Sequence, residues 1–154
     1  MRTVYFDMDG TLANLYGVKD WLKMLRNEDA TPYLKAEPLL DLYELAEIMQ
    51  ELRDKKGYSF GVISWLARES SDEYKKKVRE AKRLWLAANV PFDFDEIHLI
   101  QYGTRKAGAA KDKEESILFD DDFGVCEQWL GRNSNRVAYN VKERHIIDIL
   151  RLHL

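Results

Sequence analysis

The chain has 154 residues, 45% hydrophobic and 33% charged, with a formal net charge of −3. That size and balance suit one soluble globular domain, residues 1–154, and exclude the overall basicity on which most nucleic-acid binding relies. Cys126 is the only cysteine, no apolar run approaches a membrane span, and no charged-then-apolar leader opens the chain, so no intrachain disulfide, no membrane partner and a cytoplasmic location are expected.

Arg2 to Phe6 reads as the first strand. Val18, Trp21, Leu22 and Leu25 recur at helical spacing and predict a short amphipathic helix over about 18–27. Pro32 and Pro38 mark 29–37 as a loop or turn, and Pro38 suits the first turn of a longer helix that runs to about Lys56 and stops at Gly57. Ser59 to Ile63 is a second strand leading into Ser64. Ser71-Asp72-Glu73 then opens a helix to about Asn89, with Val78, Leu84 and Trp85 on its apolar side and Lys75-Lys76-Lys77 on a solvated one. Asp95 to Ile100 and Ser116 to Phe119 are the third and fourth strands. Phe123 to Leu130 is a helix, Arg136 to Tyr139 a fifth strand, and Glu143 to Leu152 a closing helix. Strands alternating with helices predict an α/β fold: a three-layer, Rossmann-like parallel sheet with helices on both faces.

Asp7-Met8-Asp9-Gly10-Thr11 stands at the exit of the first strand, where an open α/β sheet builds its ligand crevice. Residues i and i+2 of an extended segment project to one side, so Asp7 and Asp9 address one centre. Such a pair either holds a divalent cation or divides the roles of nucleophile and acid. Three more polar clusters follow predicted strands: Ser64, Lys106 in the loop Tyr102-Gly103-Thr104-Arg105-Lys106, and Asp120-Asp121-Asp122. Each alone is ordinary, since acidic strand ends cap helices, serines serve turns and loop lysines are solvated. Trp65, Arg68 and Tyr102 flank the second and third clusters. They offer stacking on a base and contact with a substrate phosphate, or else rim packing and surface charge. His98, His145 and His153 lie at no metal-ligand spacing, and Cys126 reads as core.

The four clusters, in this order, resemble the haloacid dehalogenase-like hydrolase superfamily, most of whose members are phosphatases. Asp7-Met8-Asp9-Gly10-Thr11 matches its DxDGT motif in full, Val62-Ile63-Ser64 its apolar strand ending in Ser or Thr, and Ile117-Leu118-Phe119-Asp120-Asp121 its acidic pair. Its active-site lysine, upstream of that pair, matches Lys106, Lys111 or Lys113. Lys106 is favoured because Gly103 and Thr104 shape its loop, whereas 111–114 looks like solvated charge. The layout is also similar to small 5'-nucleotidase-like and phage-type members. Larger members carry a cap domain; here the interval between Asp9 and Ser64 leaves room for at most a small helical flap, about residues 13–38, and so for an open site.

The resemblance implies a Mg²⁺-dependent phosphomonoester hydrolase acting on a phosphorylated small molecule, a nucleotide or a nucleic-acid end. Asp7 would attack phosphorus and form an aspartyl-phosphate. Asp9 would protonate the leaving oxygen and later activate water, which requires its carboxyl to be held above the ordinary carboxylate range. Ser64 and Lys106 would bind the phosphate, with Thr11, Trp65 and Arg68 as further substrate contacts. Asp7, Asp120 and the backbone carbonyl of Asp9 would hold Mg²⁺, and Asp121, or Asp122 in its place, a metal-bound water. Two other classes use similar residues. A non-catalytic Mg²⁺- or phosphate-binding scaffold on this fold would be expected to have lost Asp7 or Asp9. In a receiver-like phospho-acceptor domain the acidic pair comes first and the lysine last.

Overall fold

Val4, Tyr5 and Phe6 have no exposed surface, and in an extended chain they must face alternate sides. The computed structural model describes residues 2–110, 115–132 and 135–154 and makes this run the central strand of a sheet covered on both faces. Along the chain come β1 (Arg2–Phe6), the short strand β2 (Ala13–Asn14), α1 (Trp21–Arg26), α2 (Thr31–Lys35), the short strand β3 (Glu37–Pro38), α3 (Leu42–Lys56) and β4 (Ser59–Trp65). They are followed by α4 (Asp72–Asn89), β5 (Glu96–Ile100), β6 (Glu115–Asp120), α5 (Phe123–Leu130), β7 (Arg136–Asn140) and α6 (Ile146–Arg151). Single 3-10 segments occupy Leu15–Gly17 and Lys106–Ala110.

The five-stranded sheet has the order β5-β4-β1-β6-β7, and every pair is parallel. The chain builds outward from β1 to β5, then returns to the other side of β1 for β6 and β7. That reversal places the switch point between β1 and β6, so the crevice beyond their carboxyl ends is where this topology receives a ligand. Asp7 follows one of these strands and Asp120 ends the other.

Val4 and Phe6 join the larger core, which includes Leu45 of α3, Val78 of α4 and Ile149 of α6. Tyr5 faces the other way, in a smaller core with Ile63, Leu118 and Val125 and Trp129 of α5. Gly61 makes room for that ring, since a Cβ there would lie 2.8 Å from Tyr5 Cε1. The Tyr5 hydroxyl donates to Glu96 across the sheet at 2.7 Å. Helices thus cover both faces, as the alternating pattern predicts.

Three local expectations are corrected. The stretch 29–37 is not a plain loop: Thr31–Lys35 is helical, because Pro32 lies in the first turn, where its missing N–H costs nothing. Pro38 does not open a helix. It sits in β3, paired with Ala13, and α3 begins only at Leu42, where the Asp41 carboxylate accepts from the amides of Tyr43 and Glu44. The closing helix starts at Ile146 rather than Glu143, with His145 as its cap.

Residues 13–38 therefore form a β2–β3 ribbon carrying α1 and α2, tied down on α4. Trp85 Nε1 donates to the carbonyl of Ala36 at 2.8 Å, and the Tyr74 hydroxyl to that of Asp29 at 2.9 Å. Among the described residues, no helix is long and apolar enough to cross a membrane.

Candidate active site

β1 delivers Asp7 into the crevice, and the chain then turns at once. The amides of Thr11, Leu12 and Ala13 all donate to the carbonyl of Met8, and Gly10 adopts φ +81°. Glycine is required here twice over: the left-handed backbone disfavours a side chain, and a Cβ would stand 2.3 Å from Asp121 Oδ2. Among the described residues, the carbonyl of Asp9 accepts none of the backbone hydrogen bonds of this turn.

Asp7 is 6% exposed and held from two sides. Thr11 Oγ1 donates to its Oδ2 at 3.1 Å, and Lys106 Nζ to its Oδ1 at 2.9 Å. The same ammonium donates to Asp120 Oδ2 at 2.7 Å, bridging the exits of β1 and β6. Lys106 is itself buried in the 3-10 segment that precedes β6. Burial alone would lower its pKa, but Asp7 and Asp120 outweigh that and raise it. The alternative lysines, Lys111 and Lys113, lie outside the described residues.

One carboxylate oxygen from each of Asp7, Asp120 and Asp121 lies within 4.8 Å of the other two. Burial and mutual repulsion push Asp120 up to about 6 and Asp121 up to about 8, the latter also through its hydrogen bond to Asp7. Among the described residues, one lysine thus accompanies this group of three carboxyls and bonds to two of them, Asp7 and Asp120. The neighbouring Asp122 has a different role: its side chain caps α5 by accepting from the Val125 amide at 3.0 Å. Of the two residues offered by the sequence, Asp121 is the one that belongs to the cluster.

Asp9 does not join that cluster. Its Oδ2 accepts instead from Lys82 Nζ at 2.7 Å, while its side chain keeps 18% of its surface exposed. Burial, only partly offset by Lys82 and reinforced by Asp7, raises the Asp9 pKa. Ser64, at the end of β4 and fully buried, accepts from the same ammonium at 2.6 Å. Lys82 has no exposed surface, and its side chain lies with its nitrogen 5.1 Å from the ring centre of Tyr33.

Trp65 lines one wall. Its Nε1 donates to the carbonyl of Thr104 at 2.8 Å, its ring lies 4.9 Å from that of Tyr102, and Lys106 Nζ is 5.4 Å from its centre. Trp65 is therefore a brace for the loop that carries Lys106, with Tyr102 partly exposed beside it. Arg68 is not brought to the carboxylates: its side chain is 70% exposed, beside Glu69 and 5.8 Å from the Tyr102 ring centre.

Lys82 and Tyr16 have no counterpart in the expectations from sequence. Tyr16 lies where a Cβ on Gly10 would touch its ring, and burial with Asp9, Asp121 and Asp7 nearby raises its phenol pKa. Lys82 did leave a signal. In α4 the buried positions are Tyr74, Val78, Ala81, Lys82, Trp85 and Leu86, so this lysine occupies the apolar stripe where a solvated charge has no place. No protein-family model matches the chain, and no curated protein matches it.

Proposed function

We propose that the chain is a Mg²⁺-dependent phosphomonoester hydrolase of the haloacid dehalogenase type, working through an aspartyl-phosphate on Asp7. The observation that carries this reading is the separation of the two aspartates of the first motif. Asp7 belongs to the acidic cluster, whereas Asp9, two residues on, is turned to Lys82 and away from it. A simple cation site would use both side chains; a hydrolase needs one for attack and the other for the proton.

The donor set fits Mg²⁺: three carboxylates within 4.8 Å, one ammonium to balance them, and a peptide carbonyl at Asp9 left free by the turn. These are hard oxygen donors with an excess of negative charge. Asp7, Asp120 and the Asp9 carbonyl would hold the ion, with Asp121 beside them, and when bound it would neutralise the charge that otherwise repels a phosphate from Asp7.

The chain's own groups do the rest. Asp7, oriented by Thr11 and Lys106, attacks phosphorus, and the ester P–O bond breaks as the new one forms. The raised carboxyl of Asp9 gives its proton to the departing oxygen, so an alcohol leaves. Asp9, now a carboxylate, removes a proton from water, which attacks the phosphorus of the aspartyl-phosphate and releases inorganic phosphate. Lys106 and the Ser64 hydroxyl face the charge that builds on the phosphoryl oxygens.

Phosphate release with Mg²⁺ should be measured on mononucleotides, sugar phosphates and 3'- and 5'-phosphorylated oligonucleotides. Turnover on at least one class, abolished by EDTA and by Asp7→Asn with the fold retained, is the expected result. An Asp7→Asn enzyme as fast as the original would overturn the mechanism. Mg²⁺ binding without turnover on any class would favour a non-catalytic binding protein.

A further inference from the structure

Among the described residues, Lys82 is the one buried ion-paired side chain beside the crevice that the proposed chemistry leaves without a task. An ammonium nitrogen has three protons and no lone pair. All three are committed: to Asp9 Oδ2 at 2.7 Å, to Ser64 Oγ at 2.6 Å and to the carbonyl of Trp65 at 2.7 Å. Nothing remains to donate to a substrate, so Lys82 cannot act as a second phosphate-binding lysine through a hydrogen bond.

Those three bonds have directional consequences. Because Lys82 can only donate, Ser64 Oγ must be the acceptor in their contact, and the Ser64 proton is free to point elsewhere. Asp9 Oδ2 is likewise engaged, which holds that oxygen toward Lys82 and leaves Oδ1 as the oxygen that can face a reacting group. The Trp65 carbonyl anchors the nitrogen to the end of β4, and the lysine's own backbone is fixed within α4. One side chain thereby sets both the carboxylate that handles protons and the hydroxyl that donates to the phosphate.

We propose that Lys82 is a positioning residue for phosphoryl transfer: it aims Asp9 away from the cation side of the crevice and turns the Ser64 hydroxyl into a donor. This rests on the phosphatase reading above. It predicts a selective defect, since an ester with a very good leaving group needs no proton from Asp9, whereas hydrolysis of the aspartyl-phosphate still needs Asp9 to activate water.

The test compares the original protein with Lys82→Met and Lys82→Gln on phenyl phosphate and 2,4-dinitrophenyl phosphate with Mg²⁺. For Lys82→Met, kcat on phenyl phosphate should fall roughly 100-fold or more, the usual scale of a lost general acid, with KM little changed. On the dinitrophenyl ester the first equivalent of dinitrophenolate should appear in a burst, followed by slow turnover as the aspartyl-phosphate accumulates. Lys82→Gln keeps two N–H donors and should recover part of the phenyl phosphate rate. Equal losses on both esters with no burst would reduce Lys82 to a structural lysine and overturn the proposal. So would a crystal structure of Lys82→Met in which the Asp9 carboxylate has not moved. If Lys82→Met fails to fold, Lys82→Gln carries the same comparison, with a smaller loss but the same asymmetry between esters. If the original protein hydrolyses neither ester, the position of Asp9 in the crystal structure of Lys82→Met, or of Lys82→Gln where the Met variant does not fold, still decides whether Lys82 positions it, and the phosphatase reading fails only if none of the substrate classes named above is turned over either.

Discussion

Among the described residues, the two buried lysines of the crevice sit in opposite electrostatic situations. Lys82, on the β4 side, faces one carboxylate, one hydroxyl and one carbonyl, and its three protons meet three acceptors. Lys106, on the β6 side, shares its charge between Asp7 and Asp120, with Asp121 also close by. The first set is balanced in charge whenever Asp9 is ionised. The second carries surplus negative charge, which burial makes costly, and it is completed only by protons or by a cation. For the proposed binding of a metal and a phosphate, the site would be open on one side and closed on the other, and the two lysines would mark which side is which.

Removing Lys106 tests this contrast most severely. Lys106→Met leaves Asp7 and Asp120, with side chains 9% and 2% exposed, without their shared cation. Stripping one partner from a buried ion pair costs about 3–5 kcal/mol. Denaturant melts in EDTA should show a loss of that size, partly restored by millimolar Mg²⁺, which takes over the neutralising role. A loss unaffected by Mg²⁺ would mean that the cluster is not a cation site.

The acidic surplus also sets a pH dependence in the metal-free protein. Asp120 and Asp121 are raised in the folded state to about 6 and about 8, against about 3.9 for an unfolded aspartate. Between those limits the folded chain binds more protons than the unfolded chain, so stability is greatest at the acid end and falls as pH rises from about 4 to 8. Under the proposed function Mg²⁺ would compete with those protons. Its stabilisation, read as the Tm shift on adding the ion, should therefore be larger at pH 8 than at pH 6. Equal shifts at both values would place the bound ion elsewhere.

Much of the Lys106 side was legible in the sequence because strand exits punctuate it. Asp7 and Asp120 each end or follow an apolar run, and a parallel sheet must bring such ends to one rim. On the Lys82 side Asp9 and Ser64 were legible in the same way but Lys82 was not, because it sits mid-helix among charged neighbours, Arg79, Glu80 and Arg83, where local composition says "solvated". Only the helical phase, placing residue 82 in line with Val78 and Trp85, separates it from them. The prolines misled for a related reason. Pro32 and Pro38 look like the same punctuation, yet one lies in a first turn and the other in a strand, and tertiary pairing with Ala13 decides the second.

The smallest effect should separate Asp121 from Asp122, which the sequence leaves interchangeable. Asp122→Ala removes a helix cap, the bond from the Val125 amide, and such losses cost about 1 kcal/mol. Stability should fall by that amount while Mg²⁺ affinity changes little, because the Asp122 side chain serves α5 and not the cluster. Asp121→Ala should do the reverse. It removes one of three mutually repelling carboxyls, so the metal-free protein should gain stability at pH 8 even as it loses Mg²⁺ affinity. Measuring Tm with and without Mg²⁺ for both variants gives the crossed pattern. If Asp122→Ala instead weakens Mg²⁺ binding as much as Asp121→Ala, the acidic rim acts as one field, and the division between cap and cluster is wrong.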